Sequence, residues 1–201
     1  MQTKIIKIDK NKPNKKYIKL ATEIIKSGGL IISPTDTVYG FLSDAQNKKA
    51  VESIFKIKKR PKSKPLPVFV KDLKMVKEIA FVDGKQEKVL KRYWPGKYTF
   101  VLNSKLKNQN SKFYGVYKKT MALRIPNHQF LNDLLKEVNR PLAQTSVNLS
   151  SQKYLNKIED IVAVFGKSKL IKLIIDAGDI KNVKSSKIID LTAKKRRVLR
   201  T

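Results

Sequence analysis

Ser27-Gly28-Gly29-Leu30-Ile31-Ile32-Ser33-Pro34-Thr35-Asp36-Thr37-Val38-Tyr39-Gly40 is the stretch that decides the fold class. Before it, Tyr17, Ile18, Ala21, Ile24 and Ile25 recur at helical spacing, and Ser27-Gly28-Gly29 supplies the residues that end a helix. Leu30-Ile31-Ile32 is a short apolar run, read as a strand stopped at Pro34, and a polar loop follows. A helix, a buried strand and a loop rich in hydroxyls form the repeating grammar of α/β proteins, which place ligands on loops that follow strands.

The same grammar continues outward. Ala50, Val51, Ile54 and Phe55 mark a second helix that runs toward Lys58-Lys59-Arg60 and ends near Pro61. Val68-Phe69-Val70 reads as a strand, and Asp72 is placed to cap a short helix carrying Leu73, Val76 and Ile79. A helix from about Lys85 to Tyr93 breaks at Trp94-Pro95-Gly96, and Tyr98 to Leu102 is a strand. The polar run from Asn103 to Lys112 reads as a loop. Met121 to Ile125 is a strand ending at Pro126, after which Asn127 is the expected cap of a helix bearing Phe130, Leu131, Leu134, Leu135 and Val138. Leu142 to Thr145 is a strand. Asn156 with Glu159 is the expected cap of a helix closed by Gly166, and strands are expected at Leu170 to Ile175, Lys187 to Leu191 and Val198-Leu199. Interleaved strands and helices imply one α/β domain over residues 1–201, with no repeat, linker or appended C-terminal domain.

Composition narrows the classes. No apolar run approaches the roughly 20 residues of a membrane span, and Met1 to Asp9 lacks the apolar core of a signal peptide, so a cytoplasmic protein is expected. The absence of cysteine excludes disulfides, thiolate zinc sites and a thiol nucleophile. Lys and Arg number 45 against 16 Asp and Glu, a formal charge of +29. That excess has two sources to weigh: a surface that attracts polyanions, or a lysine-biased composition. Only seven of the 45 are Arg, so each Arg marks a candidate for planar, bidentate recognition.

The candidate site segments are Ser33 to Gly40, Lys58-Lys59-Arg60-Pro61, Arg124-Ile125-Pro126 and Ser146-Val147-Asn148-Leu149-Ser150. Together they are rich in cations, hydroxyls and amides and poor in carboxylates, a set suited to phosphate and carboxylate ligands. Singly each is an ordinary loop or helix end. In combination, order and spacing they resemble the YrdC family of threonylcarbamoyl-AMP synthases. Pro34-Thr35-Asp36-Thr37-Val38-Tyr39-Gly40 is similar to the family's opening strand–loop, and Lys58-Lys59-Arg60-Pro61 with Pro65-Leu66 to its Lys-x-Arg-Pro segment. Trp94-Pro95-Gly96 with Thr99, Arg124-Ile125-Pro126-Asn127-His128 and Ser146-Val147-Asn148-Leu149-Ser150 resemble three further family segments, so the likeness runs from about residue 29 to 200.

The resemblance implies a single twisted mixed sheet with flanking helices and a concave basic cavity, an architecture shared broadly with butanone-phosphate synthase. It implies synthesis of L-threonylcarbamoyladenylate and pyrophosphate from L-threonine, bicarbonate and ATP, with Mg²⁺ carried by the ATP and no dedicated metal site. The product would serve tRNA modification through a separate threonylcarbamoyl-transferase complex. Lys58, Arg60, Ser146 and Asn148 would form the tetrad around ATP and the reaction centre. Thr35, Thr37, Tyr39 and Arg124 would meet threonine and bicarbonate, and Ser186 and Arg200 would make later nucleotide contacts. A family-based alternative is a non-catalytic module binding double-stranded RNA or tRNA. The chain departs from the family pattern at Phe41, at Phe69 where some members carry His, at Ser151 in place of Gly, at Ala177 and at Lys187. His128, the only histidine, is read as a residue of the first turn after Pro126 rather than as a general base, and Trp94 as core.

Overall fold

A computed structural model describes residues 3–9, 12–106, 113–117, 119–181, 184–193 and 195–201. The loop expected from Asn103 to Lys112 therefore lies partly outside the described residues, as does Lys194.

Among the described residues six helices flank ten strands. In chain order they are β1 Lys4–Lys7, α1 Lys15–Lys26, β2 Leu30–Ser33, β3 Gly40–Asp44, α2 Lys48–Lys58, β4 Val68–Phe69, α3 Leu73–Ile79 and α4 Gly84–Tyr93. Then follow β5 Tyr98–Asn103, β6 Thr120–Arg124, α5 Gln129–Val138, β7 Leu142–Ser146, α6 Ile158–Phe165, β8 Ile171–Asp176, β9 Lys187–Asp190 and β10 Arg197–Arg200. The strands form one mixed sheet in the order β1-β8-β2-β3-β7-β4-β6-β5-β9-β10. Parallel pairs join β1 to β8, β8 to β2, β4 to β6 and β5 to β9; the remaining neighbours are antiparallel.

Two strands are additional to the sequence reading. β1, Lys4-Ile5-Ile6-Lys7, is an edge strand in which only Ile6 is buried, so no apolar alternation marks it. β3 begins at Gly40 and ends with Ser43 and Asp44, poor strand formers, yet all five of its residues are buried between β2 and β7. Two caps also differ. The N-cap of α5 is His128, with no side-chain cap bond, because Asn127 instead donates its backbone N–H to Asp36 Oδ2 at 3.0 Å. The N-cap of α6 is Lys157 rather than Asn156. A carboxylate from across the fold does the capping: Asp179 Oδ1 accepts the Ile158 N–H at 3.1 Å. Asp72 caps α3 as expected, accepting from Met75, and Asp83, a cap additional to the sequence reading, makes a capping box with Gln86. Gly28, at φ +85°, reverses the chain after α1, and a side chain there would also meet Asn47 Nδ2 at 2.7 Å.

Strand alternation sorts the core into two clusters, one on each face of the sheet. Leu30, Ile32, Phe41 and Ile174 point to one cluster, where Phe41 meets Phe165 edge-on at 5.2 Å. Ile31, Leu42, Leu142, Leu173 and Ile175 point to the other, where they join the apolar stripes of α1 and α5, including Ile25, Phe130 and Leu134. Cross-strand partners share a face, so the register extends this second face across the sheet. From Leu142 it passes through Phe69 to Arg124, and in the neighbouring row through Ala122, Val101 and Asp190. On that side polar and small residues replace the apolar stripe, and a concavity takes the place of the helices.

Candidate functional site

The concavity holds a cavity of about 450 Å³. Its floor is the sheet: Gln144 and Ser146 from β7, Ala122 and Arg124 from β6, Val101 from β5, Ile188 and Asp190 from β9. Its walls are Thr37-Val38, the segment Pro65-Leu66-Pro67, Val116-Tyr117, the turn from Asn148 to Ser151, and the Ser186–Arg200 corner. Segments far apart in sequence thus converge because each follows or ends a strand of one sheet.

The first loop is held from within. Thr35 Oγ1 accepts the N–H groups of Thr37 at 2.9 Å and Val38 at 3.1 Å, and bonds the Val38 carbonyl at 2.7 Å and Thr37 Oγ1 at 2.9 Å. Asp36 turns both carboxylate oxygens to the far wall: Oδ1 to Arg124 Nη2 and Oδ2 to the Asn127 N–H. Arg124, 1% exposed, also donates Nε to Gly96 O at 2.9 Å and Nη1 to Thr37 Oγ1 at 3.3 Å, and stacks over Phe69 at 5.4 Å. The Trp94-Pro95-Gly96 turn therefore serves to orient Arg124, while Trp94 itself is buried and donates Nε1 to Tyr98 O at 2.6 Å.

Lys58, the last residue of α2, is 2% exposed. Its Nζ donates to Ser146 O at 2.6 Å, Asn148 O at 3.0 Å and Asn148 Oδ1 at 2.6 Å, which engages all three ammonium hydrogens. Ser146 Oγ donates to the same Oδ1 at 2.8 Å, and the Asn148 amide spans the turn to Leu149 O and Gln152 O. Lys58 thus supports the Ser146–Ser151 turn from beneath. Burial, and after it the neighbouring Arg60 charge, pushes its pKa down to about 7. Arg60 donates Nε to Lys64 O at 3.0 Å and Nη2 to Pro65 O at 2.9 Å, so it holds the Pro65 wall and lines the cavity. Burial lowers its pKa below the usual value.

At the opposite rim Arg200 clasps Ser186 O through Nε at 2.9 Å and Nη2 at 2.7 Å, and Ser186 Oγ also pairs with Thr99 Oγ1 at 3.0 Å. Burial lowers the Arg200 pKa, followed by the charges of Arg124 and Arg60. Three guanidinium groups that influence one another electrostatically surround a space whose lining includes one carboxylate, Asp190. A multiply charged anion is the ligand such a field favours.

Of the residues singled out from sequence, Thr37, Lys58, Arg60, Arg124, Ser146, Asn148, Ser186 and Arg200 line this one cavity. Thr35 and Tyr39 are not among its lining residues. Thr35 spends its hydroxyl inside its own loop. Tyr39 is fully buried; its hydroxyl donates to Gly178 O at 2.7 Å and accepts from the Ala177 N–H at 3.0 Å, and burial pushes its pKa up to about 12. Ala177 thus stands in a turn fastened to the core through its backbone. Gln144 is a floor residue that the sequence reading passed over, although its place two residues before Ser146 puts both on one face of a strand.

Known proteins share the sequence family and the fold. A family profile covering Sua5, YciO and YrdC, described as "Telomere recombination", matches residues 23–201. A protein of Methanocaldococcus jannaschii named putative threonylcarbamoyl-AMP synthase is 30% identical over 193 residues, 95% of this chain and 89% of its own length. The structure of Pyrococcus abyssi Sua5 complexed with L-threonine superposes with a TM-score of 0.87 at 30% identity, covering 98% of this chain and 57% of that one. Escherichia coli YciO superposes with the same TM-score at 28% identity, covering 98% and 95%.

Proposed function

Because this chain belongs to the Sua5/YciO/YrdC family, we propose that it is a threonylcarbamoyl-AMP synthase. Similarity to a named synthase and to YciO is nearly equal, so the reading rests chiefly on the cavity. The observation that supports it is the convergence of Lys58, Arg60, Arg124, Ser146, Asn148, Ser186 and Arg200 around one basic space of about 450 Å³.

In this reading the threonine amine attacks bicarbonate, losing water to form a carbamate. A carbamate oxygen then attacks the α-phosphorus of MgATP, and pyrophosphate leaves with the electron pair of the broken P–O bond. Negative charge grows on phosphoryl oxygens, so catalysis is positioning and cationic stabilisation. Arg60 and Arg200 offer guanidinium hydrogens that no described residue accepts. Ser146 and Asn148 present the turn that Lys58 braces, and Arg124 with Thr37 is the site for the threonine carboxylate. Mg²⁺ enters as part of the ATP substrate. The labile mixed anhydride then passes to a separate enzyme that acylates tRNA.

The test is pyrophosphate release from ATP, Mg²⁺, bicarbonate and threonine, with each omitted in turn. Release that requires threonine and bicarbonate together is expected. A second reading, a non-catalytic RNA-binding module, is favoured by the +29 charge. It requires salt-sensitive RNA binding by folded protein that releases no pyrophosphate.

A further inference from the structure

Gln144 is a cavity-floor residue whose side chain holds none of the surrounding walls. It lies on β7, pairs across the sheet with Leu42, and donates its backbone N–H to Pro67 O at 2.9 Å. It is 9% exposed and lines the cavity, and among the described residues none pairs with its side-chain amide. The amide is not among the sealed polar atoms left without a partner, so its two donors and one acceptor are open to the cavity and to whatever fills it. A side chain at Gly40 would stand 3.2 Å from Gln144 Nε2, so the amide packs against the space that glycine leaves.

Its position in the register is specific. Ser146 is two residues along the same strand face, cross-strand from Gly40. In the other direction Leu142 leads through Phe69 to Arg124. Gln144 therefore occupies the floor between the Ser146–Asn148 turn and the Arg124–Thr37 pair. On the synthase reading, on which this inference rests, the phosphates lie toward the first and the amino-acid carboxylate toward the second. Between them must lie the group that joins the two, the carbamate.

We propose that Gln144 reads the carbamate: its amide N–H₂ donates to a carbamate oxygen and its amide oxygen accepts the carbamate N–H. A carbamate presents an N–H beside an oxygen, the complement of a primary amide. A carboxylate at this position would repel the carbamate anion. Gln144 thereby becomes the residue that selects bicarbonate and holds its adduct in line with the α-phosphorus.

The test is steady-state pyrophosphate release by the wild type, Gln144→Met and Gln144→Glu, varying bicarbonate, threonine and ATP separately. Methionine matches glutamine in length and keeps the packing against Gly40. Expected is a rise of roughly tenfold in the bicarbonate KM of Gln144→Met, the size of one buried hydrogen bond, with the ATP KM within about twofold. Glutamate should cost more, because it adds a like charge. An unchanged bicarbonate KM, or a rise confined to ATP, overturns the proposal. Should methionine unfold the protein, the glutamate variant carries the same comparison. Wild-type protein that releases no pyrophosphate defeats the synthase reading itself; active wild type with unaltered Gln144 variants defeats only this inference.

Discussion

One face of the sheet is finished in two ways. Over β2, β3 and β8 it is roofed by α1 and α5, and Ile31, Leu42, Leu142 and Leu173 are fully buried with Phe130 and Leu134. Over β6, β5 and β9 the same face carries Arg124, Ala122, Val101 and Asp190 and opens into the cavity. The backbone ladder is continuous across the boundary, so the difference lies in side chains alone. Where they are apolar, helices cover them and supply stability. Where they are small, polar or cationic, a ligand is the natural cover. Lys58, Gln144 and the Asp36–Arg124 pair stand at the seam, which explains why charged and polar groups there are almost wholly buried.

The sharpest way to break this division is to disable the open half without touching the roofed half. Ser146→Ala and Lys58→Met should each lower the rate of pyrophosphate release by roughly 10²–10³, about 3–4 kcal/mol of transition-state stabilisation. Circular dichroism should still report a folded protein. Near-normal turnover in either variant would remove the Ser146–Asn148 turn from the chemistry. The reciprocal experiment strikes the roof. Leu134 is fully buried on α5, and Leu134→Ala should cost about 3 kcal/mol of stability while the folded fraction keeps its activity. Val101→Ala on the open half should cost under about 1 kcal/mol, because solvent rather than a sealed void replaces the lost methyls. Equal destabilisation by the two would mean that the halves are not distinct.

The division was partly legible in the chain. The stripes of α1 and α5 and the run Leu30-Ile31-Ile32 announce the roofed half through periodicity, which local sequence carries. The motif segments announce the open half because their residue types suit anions. What sequence left hidden depends on distant neighbours. β3 reads as loop and polar turn because only its partners β2 and β7 bury Ser43 and Asp44. Asp179 caps a helix that begins at Ile158, a pairing no local pattern contains. Tyr39 sits in a site motif yet faces the core, since one residue along a strand entry changes the face presented. The direction of Lys58 Nζ, toward its own protein's carbonyls, is likewise a tertiary fact.

That lysine supplies a pH test of the seam. Burial holds its folded pKa near 7 against an unfolded value of 10.5. Between those values the unfolded chain binds the extra proton, so the contribution of Lys58 to stability increases as pH is raised from about 7 toward 10.5. Other lysines titrate in the same range, so the informative quantity is a difference. The melting temperature of the wild type relative to Lys58→Met should rise between pH 7.5 and pH 9.5. A difference that stays flat would show that the three acceptors offset burial and keep the ammonium charged.

The smallest effect concerns the turn itself. Ser151 lies at the cavity rim with φ +70°, a left-handed conformation that costs a serine roughly 1 kcal/mol and a glycine little. Ser151→Gly removes that strain but gives the unfolded chain more freedom, worth about 0.4–1 kcal/mol in the opposite sense. The net change in stability should therefore be within about 0.5 kcal/mol, read as a shift of a few degrees at most. Because the Ser146–Asn148 geometry is fixed by Lys58 and the Asn148 amide, activity should change less than about threefold. A large loss of turnover with unchanged melting would mean that the Ser151 hydroxyl itself meets the ligand. The ligand contacts of the open half would then reach beyond the Ser146–Asn148 turn to the rim of the cavity.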